Sequence, residues 1–134
     1  MTATQLPQPL GAYARWRRAG GLVFVAGVSA RLPSGEIDGV WREGAQVRHD
    51  VAVQTRRVLR NIEAILHEAG AALGDCVDMT VFLTRADDFA AFNAAYAEFF
   101  SSPNPPTRTT VVVRALPHAD MVLEMKVIAS SGNH

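Results

Sequence analysis

The sequence predicts a small α+β domain with the element order β-β-α-β-α-β-β and two helices on one face of a sheet. Three observations support this: a helical apolar period from Asp50 to Gly70, a second such period after Asp87, and short β-branched and aromatic segments elsewhere. A chain of 134 residues has the size of one domain with a single core. We therefore expect residues 1–10 to form an N-terminal arm and residues 11–134 to form one domain.

The N-terminal third contains strand signals separated by turns. The first ten residues are polar and carry two prolines, so little chemistry is expected there. Residues 13–18 alternate enough for a short strand, a pair of glycines follows, and residues 22–26 are β-branched and aromatic. These features predict a hairpin. Residues 36–48 show no clear period and predict a loop with a possible short strand.

The first helix has both start and stop signals. Asp50 can cap its N-terminus, and Gly70 can close its C-terminus. Between them, the residues at helical spacing form one apolar stripe: Val51, Thr55, Val58, Leu59, Ile62, Ile65, Leu66 and Ala69.

The C-terminal half alternates strands with a second helix. Residues 76–83 predict a strand, and Asp87 is the expected N-cap of the helix, which ends at the prolines of 101–106. Residues 109–113 and 121–129 predict the last two strands. The aromatic residues of the second helix share one stripe, which we interpret as core: Phe89, Phe92, Tyr96, Phe99 and Phe100.

The last strand is apolar on one face and mixed on the other. Leu123, Met125 and Val127 alternate with a second set made up of Val122, Glu124, Lys126 and Ile128. Two helices can cover only one face of the sheet, so the second set would be left without cover from its own chain. A half-apolar face of this kind predicts a homo-oligomer with Glu124 near the subunit junction.

Composition restricts the classes of function. Thirteen basic residues balance thirteen acidic ones, which argues against a protein that binds nucleic acid through a large positive field. The single Cys76 fits a reducing compartment, and the chain has neither a signal-peptide pattern nor an apolar run of roughly 20 residues. The histidines are scattered, and no phosphate-binding motif is present. We expect a cytoplasmic protein without metal, cofactor, nucleic-acid partner or membrane association.

Several separate segments share the order and spacing of one known family. They are Phe24 to Gly27, Asn61, Asp88 with Phe89, Phe92 with Asn93, Tyr96 to Phe100, Pro106 to Val111, Leu116 with Pro117, and Val122 to Ala129. Together they resemble the Rid (YjgF-like) family of reactive-intermediate imine and enamine deaminases. The resemblance extends from about Gly11 to Ala129.

This resemblance implies a chorismate-mutase-like fold with a mixed sheet, assembled as a homotrimer with active sites between subunits. It implies that Arg108 binds a substrate carboxylate, since a guanidinium offers two parallel charge-assisted hydrogen bonds. Glu124 would orient or activate water and move protons. By residue type alone, either side chain could be an ordinary surface residue. Further matching positions are Gly27 and Thr110, whose backbone groups would contact substrate, and Tyr13 and Asn93 near the cleft.

Thr110 departs from the family pattern, because many members have cysteine there. Cysteine chemistry is therefore not expected in this chain.

A narrower resemblance is to the 2-aminomuconate deaminases of this family. It depends on Pro9 to Gly11, Arg17 to Arg31 and Leu116 to His118. It implies conversion of 2-aminomuconate to 4-oxalocrotonate and ammonia, with Arg31 or His118 binding a second carboxylate. His118 as a simple turn residue remains an alternative. The alternative functions are a general imine/enamine deaminase, a non-catalytic trimer that binds small carboxylates and, least favoured, an RNA-directed protein.

Overall fold

The structure, a computed structural model, describes residues 6–131 and contains one five-stranded sheet, a separate hairpin and two helices. The main sheet is formed by β1 (Trp16–Ala19), β2 (Leu22–Ser29), β5 (Cys76–Leu83), β6 (Thr107–Val112) and β7 (Leu123–Ser130). The hairpin is formed by β3 (Val40–Glu43) and β4 (Gln46–His49), and the helices are α1 (Val51–Glu68) and α2 (Phe89–Ala97). Short 3₁₀ turns at Leu73–Asp75 and Ala86–Asp88 precede β5 and α2.

The main sheet is mixed, with the strand order β1-β2-β7-β5-β6. β5 and β6 run parallel, whereas β1 with β2, β2 with β7, and β5 with β7 pair antiparallel. α1 packs against α2, β2 and β7. The predicted α+β class, with a mixed sheet and two helices, is confirmed.

Two short strands form the β3–β4 hairpin where the sequence predicted a loop with a possible short strand over residues 36–48. Its two strands are joined at Gly44, which has φ +61, and pair from Val40 with His49 to Glu43 with Gln46. Most of its side chains are exposed on both faces. Because neither face of the hairpin is buried, apolar and polar residues need not alternate along its strands, and the sequence shows no period of two.

α1 begins and ends as predicted. The Asp50 carboxylate accepts a hydrogen bond from the backbone N–H of Val53 at 3.1 Å. Gly70 follows the C-terminal turn with φ +78, a conformation that favours glycine. Val58, Leu59 and Ile62 are fully buried at the centre of the core.

The predicted start of α2 at Asp87 is wrong. The α-helix begins at Phe89, after the 3₁₀ turn, and no side chain caps it. The nearby Asp88 carboxylate instead accepts a hydrogen bond from Arg85 Nε at 2.7 Å. This local ion pair occupies the carboxylate that would otherwise be free to bind the first backbone N–H groups.

The two faces of β7 separate as predicted, with one exception. Leu123, Met125 and Val127 are fully buried, whereas Glu124 is only half-buried on the opposite face. Val122 was expected on that opposite face, but it precedes the strand and is buried. Its N–H donates to the side chain of Gln54 on α1, so the strand pattern does not apply there.

The opposite face of the sheet has no cover within residues 6–131. Phe24 on β2 is paired in register with Ile128 on β7, and Val111 lies at the edge strand β6. Phe24 and Val111 are 38% and 39% exposed. Any second layer over these side chains would come from outside the described chain.

Candidate active site

Glu124 lines a cavity of about 260 Å³ at the end of β2. Tyr13, Gly27 and Arg31, all predicted site residues, line the same cavity. Burial raises the pKa of the Glu124 carboxyl above its ordinary value. Within residues 6–131, no side-chain hydrogen bond or ion pair occupies this carboxylate, so it is available to a ligand.

Gly27 allows the Glu124 carboxylate to lie directly against the β2 backbone. A Cβ at position 27 would lie 2.5 Å from Glu124 Oε2. The register of β2 against β7 shifts between Val25 and Val28, which places Gly27 in an irregular part of the strand. Close approach of a side chain therefore explains the glycine here.

The N-terminal arm forms one wall of the cavity. Residues 6–10 all line it, with mostly apolar side chains. Arg15 donates a hydrogen bond to the Pro7 carbonyl at 2.9 Å, and Arg31 donates one to the Gln8 carbonyl. The sequence suggested little chemistry for this segment, because nothing local indicates that two arginines would hold it against the domain.

The structure separates Arg31 from His118, the two candidates for a second carboxylate contact. Arg31 lines the Glu124 cavity, whereas His118 is not among its lining residues. His118 Nδ1 accepts a hydrogen bond from the backbone N–H of Asp120 at 3.0 Å. This contact is typical of a turn-forming side chain.

Asp120 braces another wall of the cavity, a role that the sequence did not indicate. Its carboxylate contacts His49 Nε2 at 2.9 Å and Arg42, both from the β3–β4 hairpin. The His49 hydrogen bond, more than any other contact, holds the pKa of Asp120 below its ordinary value. The hairpin is thereby attached to the loop that contains Pro117 and Met121, which line the cavity.

Arg108 lies in a different environment, against the aromatic side chains of α2. Its guanidinium carbon is 4.8 Å from the ring centre of Tyr96, 5.1 Å from that of Phe92 and 5.9 Å from that of Phe89. No acceptor within residues 6–131 forms a hydrogen bond or ion pair with this guanidinium. The aromatic stripe is therefore partly core and partly a stacking surface for Arg108, whereas the sequence suggested core alone.

Two hydroxyl groups near Arg108 are buried without a hydrogen-bond partner in the described chain, those of Thr110 and Tyr96. Thr110 lies two residues after Arg108 and so on the same face of β6. Burial raises the pKa of Tyr96 to about 12, which keeps this hydroxyl protonated. Asn93, the remaining predicted position, is half-buried on α2. Arg108, Thr110 and Asn93 thus belong to the α2–β6 region.

Arg108 and Glu124 lie on opposite faces of the sheet. Arg108 pairs in register with the fully buried Met79, on the face that the helices cover. Glu124 pairs with Phe82 on the other face, and β5 separates their two strands. A single chain therefore presents two half-sites that do not face each other.

No group of three or more His, Cys, Asp or Glu side chains within residues 6–131 is arranged to hold a metal ion. Over the same residues, neither helix is long and apolar enough to cross a membrane.

Comparison with known proteins identifies the family. The family described as endoribonuclease L-PSP matches residues 3–131. A RutC family protein of Pyrococcus abyssi is 42% identical over 92% of this chain and 89% of its own length. The chain belongs to the Rid family.

Among its Rid relatives is TdcF of Escherichia coli, provisionally named a reactive intermediate deaminase. TdcF is 37% identical over 92% of this chain and 89% of its own. The crystal structure of TdcF with bound serine is similar to this fold, with a TM-score of 0.78 and 34% identity over 97% of this chain and 98% of that chain. The broad resemblance seen in the sequence is confirmed, and the narrower one to 2-aminomuconate deaminases stays a hypothesis.

Proposed function

We propose that this Rid-family protein hydrolyses a carboxylate-bearing enamine or imine and releases ammonia, with 2-aminomuconate as substrate and 4-oxalocrotonate as product. One observation supports this above all: the chain holds a guanidinium without an acceptor among residues 6–131 and, in a cavity, a carboxylate of raised pKa. Perturbed ionisable groups in a cleft are typical of catalytic sites.

Arg108 is the proposed carboxylate-binding residue. The aromatic rings of Phe92 and Tyr96 lie 5.1 and 4.8 Å from its guanidinium carbon, and no acceptor within residues 6–131 bonds to its N–H groups. A fixed fork of donors binds both oxygens of a carboxylate and so orients the substrate as well as attracting it. Orientation of this kind lowers the entropic part of the barrier.

Glu124 is the proposed proton carrier. After the enamine tautomerises to the imine, the ionised carboxylate takes a proton from water while the water oxygen bonds to the imine carbon. Glu124 then passes that proton to the nitrogen, which yields a carbinolamine. The carboxylate then takes the hydroxyl proton and passes it to the nitrogen, so the carbon–nitrogen bond breaks, ammonia leaves and the ketone forms. The raised pKa favours such exchange, because it brings the two protonation states closer in free energy near neutral pH.

We propose a homotrimer in which each active site combines Arg108 of one copy with Glu124 of another. The two groups lie on opposite faces of one sheet, so a shared site requires a second chain. The uncovered face with Phe24 and Val111 supplies an apolar surface for that chain.

The choice of 2-aminomuconate depends on a second cation for its distal carboxylate. Arg31 lines the Glu124 cavity and supports this choice over His118, which does not line it. A general imine/enamine deaminase is the second candidate, and the name of the relative TdcF favours it.

The nuclease description of the family is not extended to this chain. Many of its arginines are paired with carboxylates, which offset their positive charge. The pairs are Arg15 with Glu68, Arg42 with Asp120, Arg56 with Glu98, Arg57 with Asp38, Arg60 with Glu63, and Arg85 with Asp88. RNA backbone binding depends on unpaired positive charge.

The test is ammonia release from enzymatically generated 2-aminomuconate and from 2-iminopropionate, measured for wild type and Arg108→Ala. Activity on 2-aminomuconate that the variant lacks would support the specific proposal. Activity on 2-iminopropionate alone would leave a general deaminase. Absence of release from both substrates would refute catalysis and favour a non-catalytic carboxylate-binding protein.

Mixing two inactive variants tests the shared site. Arg108→Ala and Glu124→Gln chains, unfolded and refolded together, should regain activity in roughly a quarter of the sites, because a cyclic interface pairs two different surfaces. Each variant refolded alone is the control. A mixture no more active than its components would refute the shared site.

A further inference from the structure

Asn61 on α1 is a buried amide beside the Glu124 cavity. It is 3% exposed, and it lines the cavity together with Ile65 one turn later. Its Nδ2 donates hydrogen bonds to the backbone carbonyls of Ser29 at 3.1 Å and Arg31 at 3.0 Å. Asn61 therefore holds the wall of the cavity that continues from β2.

The two contacts also determine which way the amide points. Both neighbours are carbonyl oxygens, so the side-chain atom between them is the nitrogen donor, and Oδ1 lies on the other side. No donor within residues 6–131 bonds to Asn61 Oδ1. Oδ1 is not one of the side-chain atoms that are buried without a partner, and Asn61 lines the cavity, so this acceptor is open to a molecule bound there.

Gln54 shows what a structural amide on the same helix does. It lies seven residues earlier, about two turns away. Its Nε2 donates to the Asp120 carbonyl at 2.8 Å, and its Oε1 accepts from the Val122 N–H at 3.1 Å. Among the described residues, Gln54 satisfies both ends of its amide, whereas Asn61 satisfies only the nitrogen end.

We propose that Asn61 contacts the ligand of this cavity and that its Oδ1 accepts a hydrogen bond from the ligand's nitrogen. Enamine, iminium and amino groups all carry the N–H that this acceptor needs, and the lone carboxylate of Glu124 can then serve proton transfer. The inference deepens the proposed function and rests on it.

The test compares two stable ligands that differ in one group. Serine carries an amino group, and 3-hydroxypropionate has the same skeleton without it. We expect wild type to bind serine more tightly in calorimetry, and Asn61→Ala to reduce that preference about tenfold, the loss expected for one hydrogen bond to a charged donor. Asn61→Asp loses the amide donor but keeps oxygen acceptors, so it should retain the preference.

Gln54→Ala is the matched control, because it removes a buried amide from the same helix. It should lower the Tm without changing the serine preference. Equal or absent binding of the two ligands by wild type would overturn the inference, as would an unchanged preference in Asn61→Ala. If Asn61→Ala does not fold, the Asn61→Asp result decides, and loss of preference there overturns the inference.

Ammonia release from the same preparations keeps the two proposals apart. Release by wild type with an unchanged preference in Asn61→Ala would overturn only the role of Asn61. A preference that depends on Asn61, in a wild type that releases no ammonia, would overturn only the proposed reaction.

Discussion

Replacing Gly27 by alanine is expected to displace the Glu124 carboxylate and leave the fold intact. The added Cβ would lie 2.5 Å from Glu124 Oε2 and 3.0 Å from Cδ. Since carbon contacts need about 3.5 Å, the carboxylate has to move by about 1 Å. It lies at the end of a flexible side chain, so the movement costs about 1 kcal/mol of stability. A displacement of about 1 Å at a reacting group lowers kcat about 100-fold.

Gly74→Ala is the matched control, because nothing lies within 4 Å of a Cβ built there. We would measure kcat and KM for ammonia release together with thermal unfolding of wild type and both variants. Gly27→Ala should lose kcat with a small change in Tm, and Gly74→Ala should keep both. A Gly27→Ala enzyme with the kcat of wild type would refute the reasoning, because Glu124 would then tolerate displacement.

Four further predictions concern binding and stability. Arg108→Lys should lower kcat/KM about 100-fold, mainly through KM, because an ammonium lacks the planar fork; Michaelis kinetics check this. Glu124→Gln should abolish ammonia release. Because burial raises the folded-state pKa of Glu124 above 4.5, the free energy of unfolding of wild type relative to Glu124→Gln should fall in urea titrations as pH rises from 4.5 through that pKa. Asp120→Asn should lower the free energy of unfolding by about 1–3 kcal/mol at neutral pH. The variant and wild type should become equally stable as pH falls below 3.8 through the lowered pKa of Asp120. Asp50→Ala should cost about 1 kcal/mol in the same titrations, since it removes the α1 cap; equal unfolding midpoints would contradict it.

The sequence by itself determined the elements whose signals are local. The apolar period and the caps at Asp50 and Gly70 predict α1 correctly, because helix hydrogen bonds and caps join residues at most a few positions apart. The alternation along β7 predicts the buried face of Leu123 and Met125 for the same reason. The spacing of the family motifs also indicated Arg108 as a residue of interest, and the structure leaves its guanidinium without an acceptor in the described chain.

Only the tertiary structure decided how distant segments meet. Neither the closure of the Glu124 cavity by residues 6–10 nor the attachment of the β3–β4 hairpin through Asp120 has a local signal. The separation of Arg108 and Glu124 onto opposite faces follows from the register of β6 and β7 against β5. Strand order and register depend on the free energy of contacts between residues far apart in sequence, which no short window of the chain contains.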